Sequence, residues 1–361
     1  MRYKKWLKGS AYSGRLPTGC VHCARGGKLV LLVTGKCNSG CFYCPLSAKK
    51  KGRAVVYADE LLVRNKNEIL EEARLIGATG TGMTGGDPLL KPAETAELIK
   101  LLKREFGKGH HIHLYTGSAD IKAIKKLASS GLDEIRFHPP ISIWRNIEDS
   151  PFNDVIMTSK DIGMEAGFEV PAIPGMHDDI LALIEYASRT GLSFVNLNEL
   201  EFSETNWRQL RNRGFDVKGA VSSAVKGSEK LALKLIGESP ADLPVHYCSS
   251  SFKDAIQLRR RIMRRAKNIA RPLDILTKDG TRVMGIIETN DPSSLVEELN
   301  GRLGVPKRLI EANEAMRRVE IAPWVLDEIA PEVRGRKFII EEYPTADRLE
   351  VEREPVAVRR R

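Results

Sequence analysis

Long apolar runs, acidic residues near the N-terminus and cysteines are all scarce in this sequence. No stretch approaches the roughly 20 apolar residues that cross a bilayer, and the basic start MRYKKWLKGS lacks the apolar segment of a signal peptide. Only six cysteines occur in 361 residues, and most stand at close spacings. Such grouping suits metal ligation better than a disulfide framework. We therefore expect a soluble, cytoplasmic protein without a membrane partner.

Acidic side chains are absent from Met1 to Ala58, although the formal net charge of the whole chain is only +10. A second basic block runs from Lys253 to Arg271. Blocks of this kind can follow the phosphates of a nucleic acid, and the alternative is an ordinary solvated surface. The candidate nucleic-acid contacts are Arg259, Arg260, Arg261, Arg264, Arg265 and Lys267.

Short apolar runs alternate with segments of helical periodicity from Lys28 to about Ser203, which predicts an α/β fold with a parallel sheet. Six βα units fit an open, partial (β/α)6 barrel, with the chemistry at the C-terminal ends of the strands. The predicted strands are Lys28–Gly35, Thr79–Gly86, His111–Gly117, Leu132–His138, Phe168–Pro174 and Ser193–Phe202.

The chain is long enough for a main domain and an appendage. We predict a basic N-terminal segment over 1–27, the barrel over 28–203, a basic helical extension over 204–271 and a small C-terminal α/β or β-rich domain over 272–361. The last begins with a hairpin that turns at Asp279-Gly280, and KFIIEEY and RLEVERE read as further strands. This domain is a candidate for binding RNA.

The segment TGKCNSGCFYCP places Cys37, Cys41 and Cys44 directly after the first predicted strand, at C-x3-C-x2-C spacing. Iron–sulfur clusters are usually held by four thiolates, so three leave one iron open to another ligand. A zinc site or a chance grouping is the alternative. With aromatic Tyr43 before the last cysteine, the loop resembles the signature of the radical S-adenosylmethionine (SAM) superfamily, whose open iron binds SAM.

The resemblance extends to further residues that are expected to bind the cofactor. Thr84-Gly85-Gly86-Asp87-Pro88 ends the second strand and is similar to the superfamily's Gly-Gly-Glu segment, with Asp87 in place of Glu. Ordinary turn chemistry and strand-end polarity are the alternatives. The softer correspondences, at the ribose, adenine and sixth-strand positions, are His138, Ile173, Asn196 and Asn198.

What the resemblance implies is an enzyme that cleaves SAM reductively at a 4Fe-4S cluster and uses the resulting 5′-deoxyadenosyl radical to abstract hydrogen from an unactivated C–H bond. Cofactor chemistry supplies the difficult step, and the protein positions the reactants and excludes water. An electron donor such as ferredoxin is implied as a partner.

Three cysteines remain outside that loop. Cys20 and Cys23 form a C-x2-C pair before the barrel, and Cys248 lies far along the chain in HYCSSS. They predict a second metal site, either an auxiliary iron–sulfur cluster or zinc, with His22 or His246 as fourth ligand. The alternative is that they are small buried residues of the core.

The segments GCVHCARGGKLVL, HYCSSSFKDAIQLR and YPTADRLEVEREP resemble an archaeal group related to pyruvate formate-lyase activating enzyme. The added basic helix and C-terminal domain instead favour tRNA, so the leading hypothesis is tRNA modification, by methylation or methylthiolation of a hypermodified adenosine such as threonylcarbamoyladenosine. Two alternatives stay open. One is a glycyl-radical-enzyme activase or peptide-modifying enzyme, and the other is a non-catalytic RNA-binding iron–sulfur protein.

Overall fold

The computed structural model describes residues 3–356, which form two compact units. The first unit contains the chain up to Arg74 and Ala78–Leu258, and the second contains Leu75–Gly77 with the chain from Arg259 onward. The sequence placed the last boundary at Arg271-Pro272, after the basic helix. The difference arises because that helix packs into the second unit through side-chain contacts that composition does not reveal. The four-segment division stays a prediction.

Seven parallel strands, paired in chain order, build the sheet of the first unit. All six predicted strands are confirmed, and no predicted strand end differs from the observed one by more than three residues. The strands are β1 (Lys28–Thr34), β2 (Gly80–Gly85), β3 (His111–Thr116), β4 (Glu134–Phe137), β5 (Glu165–Ala172), β6 (Phe194–Glu199) and β7 (Val245–Cys248).

The seventh strand, β7, was not predicted, because its four residues VHYC include two polar side chains and follow a long helical region. Antiparallel two-residue strands extend the sheet at both ends, so the barrel is not closed by hydrogen bonds between β1 and β7. These edge strands are Lys4–Lys5 and Ala11–Tyr12 beside β7, and Tyr57–Ala58 and Leu61–Leu62 beside β1.

Helices follow the strands, as the βα pattern predicts. Pro92 at the first turn and Gly107 after the last residue delimit the helix that follows β2. Ser150 caps the helix before β5 by accepting a hydrogen bond from the Phe152 amide. The helices are α1 (Thr18–Ala24), α2 (Lys66–Leu75), α3 (Pro92–Phe106), α4 (Ile121–Ser129), α5 (Pro151–Asp161), α6 (His177–Arg189), α7 (Trp207–Asn212) and α8 (Ser228–Glu238), with helical turns at Ser250–Phe252 and Lys253–Leu258.

Residues alternate between two environments along the barrel strands. One set is apolar and fully buried, as in Ile135 and Phe137 of β4 and Val195 and Leu197 of β6. The other set is polar, and its members on different strands line a single cavity. A sheet whose strands line one cavity with alternate residues curves around it, which is the arrangement of a partial barrel.

Helix α1 lies against the polar face of this sheet. The Gly19 amide donates a hydrogen bond to Glu134 Oε2 at 3.0 Å. A Cβ atom at Gly19 would lie 2.6 Å from both Arg136 Nη2 and His113 Nδ1. Only glycine permits this approach, and it brings both cysteines of α1 to the inside of the barrel.

The second unit is a β-sheet packed with helices, which confirms a small C-terminal β-containing domain. The elements are α9 (Arg259–Ile269), β8 (Ile275–Leu276), β9 (Arg282–Glu288), α10 (Pro292–Leu303), β10 (Ile310–Asn313), β11 (Arg318–Ile321), α11 (Pro323–Ile329), β12 (Lys337–Glu342) and β13 (Glu350–Pro355). The hairpin of β8 and β9 turns at Asp279-Gly280 as predicted, and the strand order of the sheet is β10-β11-β9-β12-β13.

Across residues 3–356, no helix combines the length and the apolar character needed to span a bilayer.

Candidate active site

A cavity of about 540 Å³ lies inside the barrel of the first unit. That volume falls within the roughly 300–1,000 Å³ of sites that enclose one small molecule. All six cysteines line it, and all are free thiols. The two cysteine sets, which are far apart in sequence, therefore face one space: Cys37, Cys41 and Cys44 in the loop after β1, and Cys20, Cys23 and Cys248 on α1 and β7.

The three-cysteine loop, Cys37 to Cys44, leaves the C-terminal end of β1. Cys37 is exposed, whereas Cys41 and Cys44 are partly buried. Within the loop, Ser39 N donates to Cys37 Sγ at 3.3 Å and Cys44 N to Cys41 O at 3.1 Å. Burial raises the pKa of the Cys41 thiol. The loop thus presents three thiols that a metal centre can deprotonate and bind.

Residues after β6 hold this loop in place, and the sequence did not predict them. Buried Asn206 donates from Nδ2 to Tyr43 O at 2.9 Å, and Thr205 Oγ1 donates to Leu46 O at 2.9 Å. The motif SETNW carries no signal for such contacts, because they depend on how the chain returns after β6. They fix the backbone on both sides of Cys44, the last cysteine of the loop.

Tyr43 and His138 form a hydrogen-bonded pair at the edge of the cavity. His138 Nδ1 donates to Glu169 O at 2.6 Å, because a carbonyl oxygen can only accept. His138 Nε2 therefore accepts from Tyr43 Oη at 2.8 Å. Burial lowers the pKa of His138, which suits this neutral form. Both residues were predicted to contact the cofactor, and both line the cavity.

Gly85 and Gly86 lie where β2 meets the three-cysteine loop. A Cβ atom at Gly86 would stand 2.0 Å from Lys36 O, and one at Gly85 would stand 2.2 Å from Thr34 O. The φ of Gly85 is 153°, which also favours glycine. The two glycines are therefore required for the close approach of the two backbones, and Gly86 lines the cavity.

Asp87 acts through its side chain, beyond the backbone contact expected from the sequence. Its buried carboxylate accepts hydrogen bonds from Leu89 N, Thr116 Oγ1, Gly117 N and Ser118 Oγ. It does not line the cavity. The carboxylate instead ties the end of β2 to the end of β3.

A buried polar network forms one wall of the cavity, around Glu169 on β5. Glu169 accepts from Arg136 Nη1 at 2.6 Å, Asn196 Nδ2 at 2.9 Å and Asn198 Nδ2 at 2.9 Å. Burial opposes ionisation, but the charge of Arg136 and the amide hydrogen bonds outweigh it and lower the pKa of Glu169. Asn196 and Asn198 were predicted as cofactor contacts, whereas Glu169 and Arg136 were missed.

Ile173 was predicted to contact the adenine of SAM. It is buried at 1% exposure, and it is not among the residues that line the cavity. Its role stays a prediction.

The predicted nucleic-acid residues lie on α9, in the second unit. Arg265 is buried and donates from Nη1 to Pro344 O at 2.6 Å, and Arg264 Nε donates to Ile76 O at 2.9 Å. Arg259 pairs with Asp279 at 3.1 Å. These guanidinium groups serve contacts within the protein. A role in RNA binding for α9, including Arg260, Arg261 and Lys267, stays a prediction.

Comparison with known proteins identifies the family. A model of the radical SAM superfamily matches residues 31–140, which include the three-cysteine loop and the Gly-Gly segment. A protein of Methanocaldococcus jannaschii named "Putative glycyl-radical enzyme activating enzyme" is 41% identical over 96% of this chain and 94% of its own length. The chain belongs to the radical SAM superfamily. A domain of unknown function (DUF8061) matches residues 280–356, in the second unit.

Solved structures of radical SAM enzymes show a more distant likeness. Methylornithine synthase (PylB) is 16% identical with a TM-score of 0.42, over 58% of this chain and 62% of that one. Streptococcus suis SuiB bound to S-adenosylmethionine is 13% identical with a TM-score of 0.42, over 62% of this chain and 50% of that one. The chain spans less than two thirds of the length of either protein.

This radical SAM chain has the donor groups that the superfamily's two cofactors need, a 4Fe-4S cluster and SAM. The three thiols of the loop leave a fourth position on a cluster open, and Gly86, Tyr43 and His138 line the same cavity. Asn196 Oδ1 is a buried acceptor without a hydrogen-bond partner among the described residues. The cavity therefore offers both the thiol set and unused polar capacity for a bound molecule.

Proposed function

We propose that this radical SAM enzyme acts on a protein partner, as a glycyl-radical-enzyme activase or a related peptide-modifying enzyme. The observation that carries the proposal is the near full-length similarity to the M. jannaschii protein that bears an activating-enzyme name. At 41% identity the similarity includes the second unit and is not confined to the barrel. The name of this relative supports the activating-enzyme alternative and not the leading hypothesis from the sequence, tRNA modification.

When bound, the cluster and SAM supply a carbon radical that removes a hydrogen atom from a C–H bond. The residues of this chain hold and orient what surrounds that bond. Tyr43 and His138 are fixed by the hydrogen bonds to each other and to Glu169 O, so they present one rigid edge of the cavity. Arg136 lies between two carboxylates, at 2.6 Å from Glu169 and 2.5 Å from Glu134, so this wall of the cavity carries paired charges of both signs. Asn196 Oδ1 is free to accept an N–H or O–H group of the bound molecule.

Exclusion of water is the second contribution of the protein. A reactive carbon radical must meet the target C–H bond before it meets solvent or a reductant. The barrel strands and α1 both line the cavity, which is open to solvent on part of its surface, and the apolar strand residues face away from it. A peptide segment that enters from the side of the three-cysteine loop would complete the enclosure.

A tRNA substrate remains the second candidate, because exposed basic side chains surround the three-cysteine loop. Lys36, Lys49, Lys51 and Arg53 are all exposed, in a segment with no acidic residue before Asp59. Such a rim attracts an anionic partner, whether RNA or an acidic protein surface. The experiment below separates the two.

The test uses macromolecules from a strain that lacks this gene, since they retain the unmodified substrate. The anaerobically reconstituted enzyme is incubated with SAM, dithionite and this fraction, after treatment of the fraction with either ribonuclease or protease. We expect protease, and not ribonuclease, to abolish the stimulation of 5′-deoxyadenosine formation. The Cys41→Ala variant is the background control. Stimulation that ribonuclease abolishes, with a changed tRNA nucleoside profile in the deletion strain, would overturn the proposal in favour of tRNA.

The activase form predicts a radical on a backbone glycine of the partner. Electron paramagnetic resonance of the reaction should show a carbon-centred doublet, and partner protein labelled with α-deuterated glycine should lose the splitting. Mass spectrometry should find that deuterium in 5′-deoxyadenosine. Deuterium in 5′-deoxyadenosine from a labelled side chain, and none from glycine, would contradict the activase form and support modification of a peptide side chain.

A further inference from the structure

We propose that Cys20, Cys23, Cys248 and His246 hold a second iron–sulfur cluster, in the same cavity as the three-cysteine loop. The site does not depend on the identity of the substrate. It uses residues from the two elements that sequence reasoning placed outside the barrel, α1 and β7.

The three thiols converge on one part of the cavity. Cys20 and Cys23 stand three residues apart on α1, so they lie on one face of the helix, and both are 8% exposed. Cys248, the last residue of β7, is also 8% exposed. All three cysteines line the same cavity, and Cys248 packs in one apolar cluster with Ala24, the residue that follows Cys23 on α1. The three thiols are therefore near neighbours.

His246 faces the same space from the same strand. It stands two residues before Cys248 on β7, so both side chains point to one side of the sheet. It is 2% exposed, it lines the cavity, and neither ring nitrogen has a hydrogen-bond partner. Its register partner on β6 is Asn196, whose Nδ2 lies 3.6 Å from Cys20 Sγ. A buried imidazole without hydrogen-bond partners, beside three thiols, offers the nitrogen and sulfur donors that a metal centre binds.

His22, the other histidine near these cysteines, faces elsewhere. Its Nδ1 is hydrogen-bonded to Thr79 Oγ1 at 2.7 Å, and its ring stacks on His111 at 5.5 Å between centroids. It does not line the cavity. Of the two candidates for a fourth ligand that the sequence left open, the geometry thus favours His246.

Cationic side chains lie beside the three thiols. Arg136 Nη2 lies 3.5 Å from Cys20 Sγ. Lys28 interacts with Cys23, and Lys253 with Cys248. Thiolates are the metal-binding form of cysteine, and buried thiolates require such compensation.

The spacing of the ligand atoms favours a cluster over zinc. Four ligands of one zinc ion, at about 2.3 Å for sulfur and 2.0 Å for nitrogen, lie within about 4 Å of one another. Among the described residues, the group of three or more ligand atoms found within 4.8 Å of one another is His111, Glu134 and Glu165, and it includes no cysteine. In a 4Fe-4S cluster each protein ligand binds a different iron, so the ligands lie farther apart. The four proposed ligands are therefore not gathered as closely as one zinc ion requires, whereas a cluster does not demand that spacing.

Metal counting tests the site. Wild type and two triple variants are reconstituted anaerobically with iron and sulfide: Cys37→Ala/Cys41→Ala/Cys44→Ala, and the matched Cys20→Ala/Cys23→Ala/Cys248→Ala. We expect about eight irons and eight sulfides per chain in wild type and about four of each in either variant. Absence of iron–sulfur from the first variant, or one zinc ion in its place, would overturn the proposal.

The first variant decides even if the second does not fold. Its substitutions lie in a loop that is partly exposed, whereas those of the second are buried. Circular dichroism of each apoprotein shows which variant is folded, and four irons in a folded first variant support the second cluster by themselves.

The role of His246 has its own readout. In the Cys37→Ala/Cys41→Ala/Cys44→Ala background, only the second cluster remains. Replacement of histidine ligands by cysteine lowers the reduction potential of iron–sulfur centres. His246→Cys should therefore keep the iron content and lower the midpoint potential, and it should change the electron paramagnetic resonance spectrum of the reduced cluster. An unchanged potential and spectrum would show that His246 is not a ligand.

Discussion

Asp87→Asn should destabilise the first unit by about 3–5 kcal/mol, although the two side chains have nearly the same shape. The Asp87 carboxylate is 1% exposed and accepts four hydrogen bonds. Oδ1 accepts from Leu89 N and Thr116 Oγ1, each at 2.9 Å, and Oδ2 accepts from Gly117 N at 3.1 Å and Ser118 Oγ at 2.7 Å.

The magnitude follows from what the amide cannot do. With nitrogen in place of Oδ2, the Gly117 amide meets a second donor and loses its acceptor, which costs about 1–3 kcal/mol. The Ser118 hydroxyl can rotate and accept. The bonds that remain are no longer made to a charge, and each weakens by about 1 kcal/mol, the difference between charged and neutral hydrogen bonds.

The assay is urea unfolding followed by tryptophan fluorescence in a Trp324→Phe background, so that the tryptophans that remain are those of the first unit. The control is Asp120→Asn. Asp120 is exposed and caps α4 through the Ala123 amide, and asparagine caps a helix about as well as aspartate. If Asp87→Asn lowered the free energy of unfolding by less than about 1 kcal/mol, or by as much as Asp120→Asn does, the four hydrogen bonds assigned to the Asp87 carboxylate would be refuted.

Three further predictions concern other buried groups. Glu320→Gln should cost the second unit about 3–5 kcal/mol, whereas Glu311→Gln should cost below about 1 kcal/mol, because both carboxylates contact Arg271 but only Glu320 is fully buried. The charges of Arg348 and Arg271 outweigh burial and lower the pKa of Glu320 to about 2, so its contribution is complete above its ordinary pKa of 4.5 and is lost as pH falls toward 2. Thermal melting between pH 2 and 7 measures both the loss of stability and its pH dependence. If the melting temperature of Glu320→Gln depended on pH as that of the wild type does, the lowered pKa of Glu320 would be contradicted. Tyr43→Phe should weaken SAM binding by up to about five-fold, the equivalent of about 1 kcal/mol, because loss of the hydrogen bond within the protein releases His138 at the edge of the cavity. Equilibrium dialysis with the reconstituted protein measures the affinity, and an unchanged value would contradict the role of the pair with His138.

The local signals of the sequence predicted most of the fold. Apolar strands flanked by glycine, helices of regular period and the Asp279-Gly280 turn are all properties of neighbouring residues, and the structure confirms them. β7 was missed because four residues, two of them polar, carry little periodicity. It forms a strand because it pairs in parallel with β6, a tertiary contact that its own four residues do not signal.

The candidate site was predicted only where a motif marks it. The three-cysteine loop and the Gly85-Gly86 pair have fixed spacings that chemistry requires. Glu169 and Asn206 have no motif, because each acts through a partner on another strand or loop that only the folded chain brings near. The backbone contact of Asp87 with SAM stays a prediction, and its carboxylate has a further role that the sequence did not show, because it binds the end of a strand, β3, that only the folded chain brings beside it.

Reductive cleavage of SAM tests the central claim most directly. Wild-type protein, reconstituted anaerobically with iron and sulfide, is incubated with SAM and dithionite, and 5′-deoxyadenosine and methionine are measured by mass spectrometry. We predict that both form in equal amounts with wild type and that neither forms with Cys41→Ala, because the loss of one thiol removes the open-iron cluster. Intact SAM after incubation with fully iron-loaded wild type, or equal cleavage by Cys41→Ala, would contradict the account.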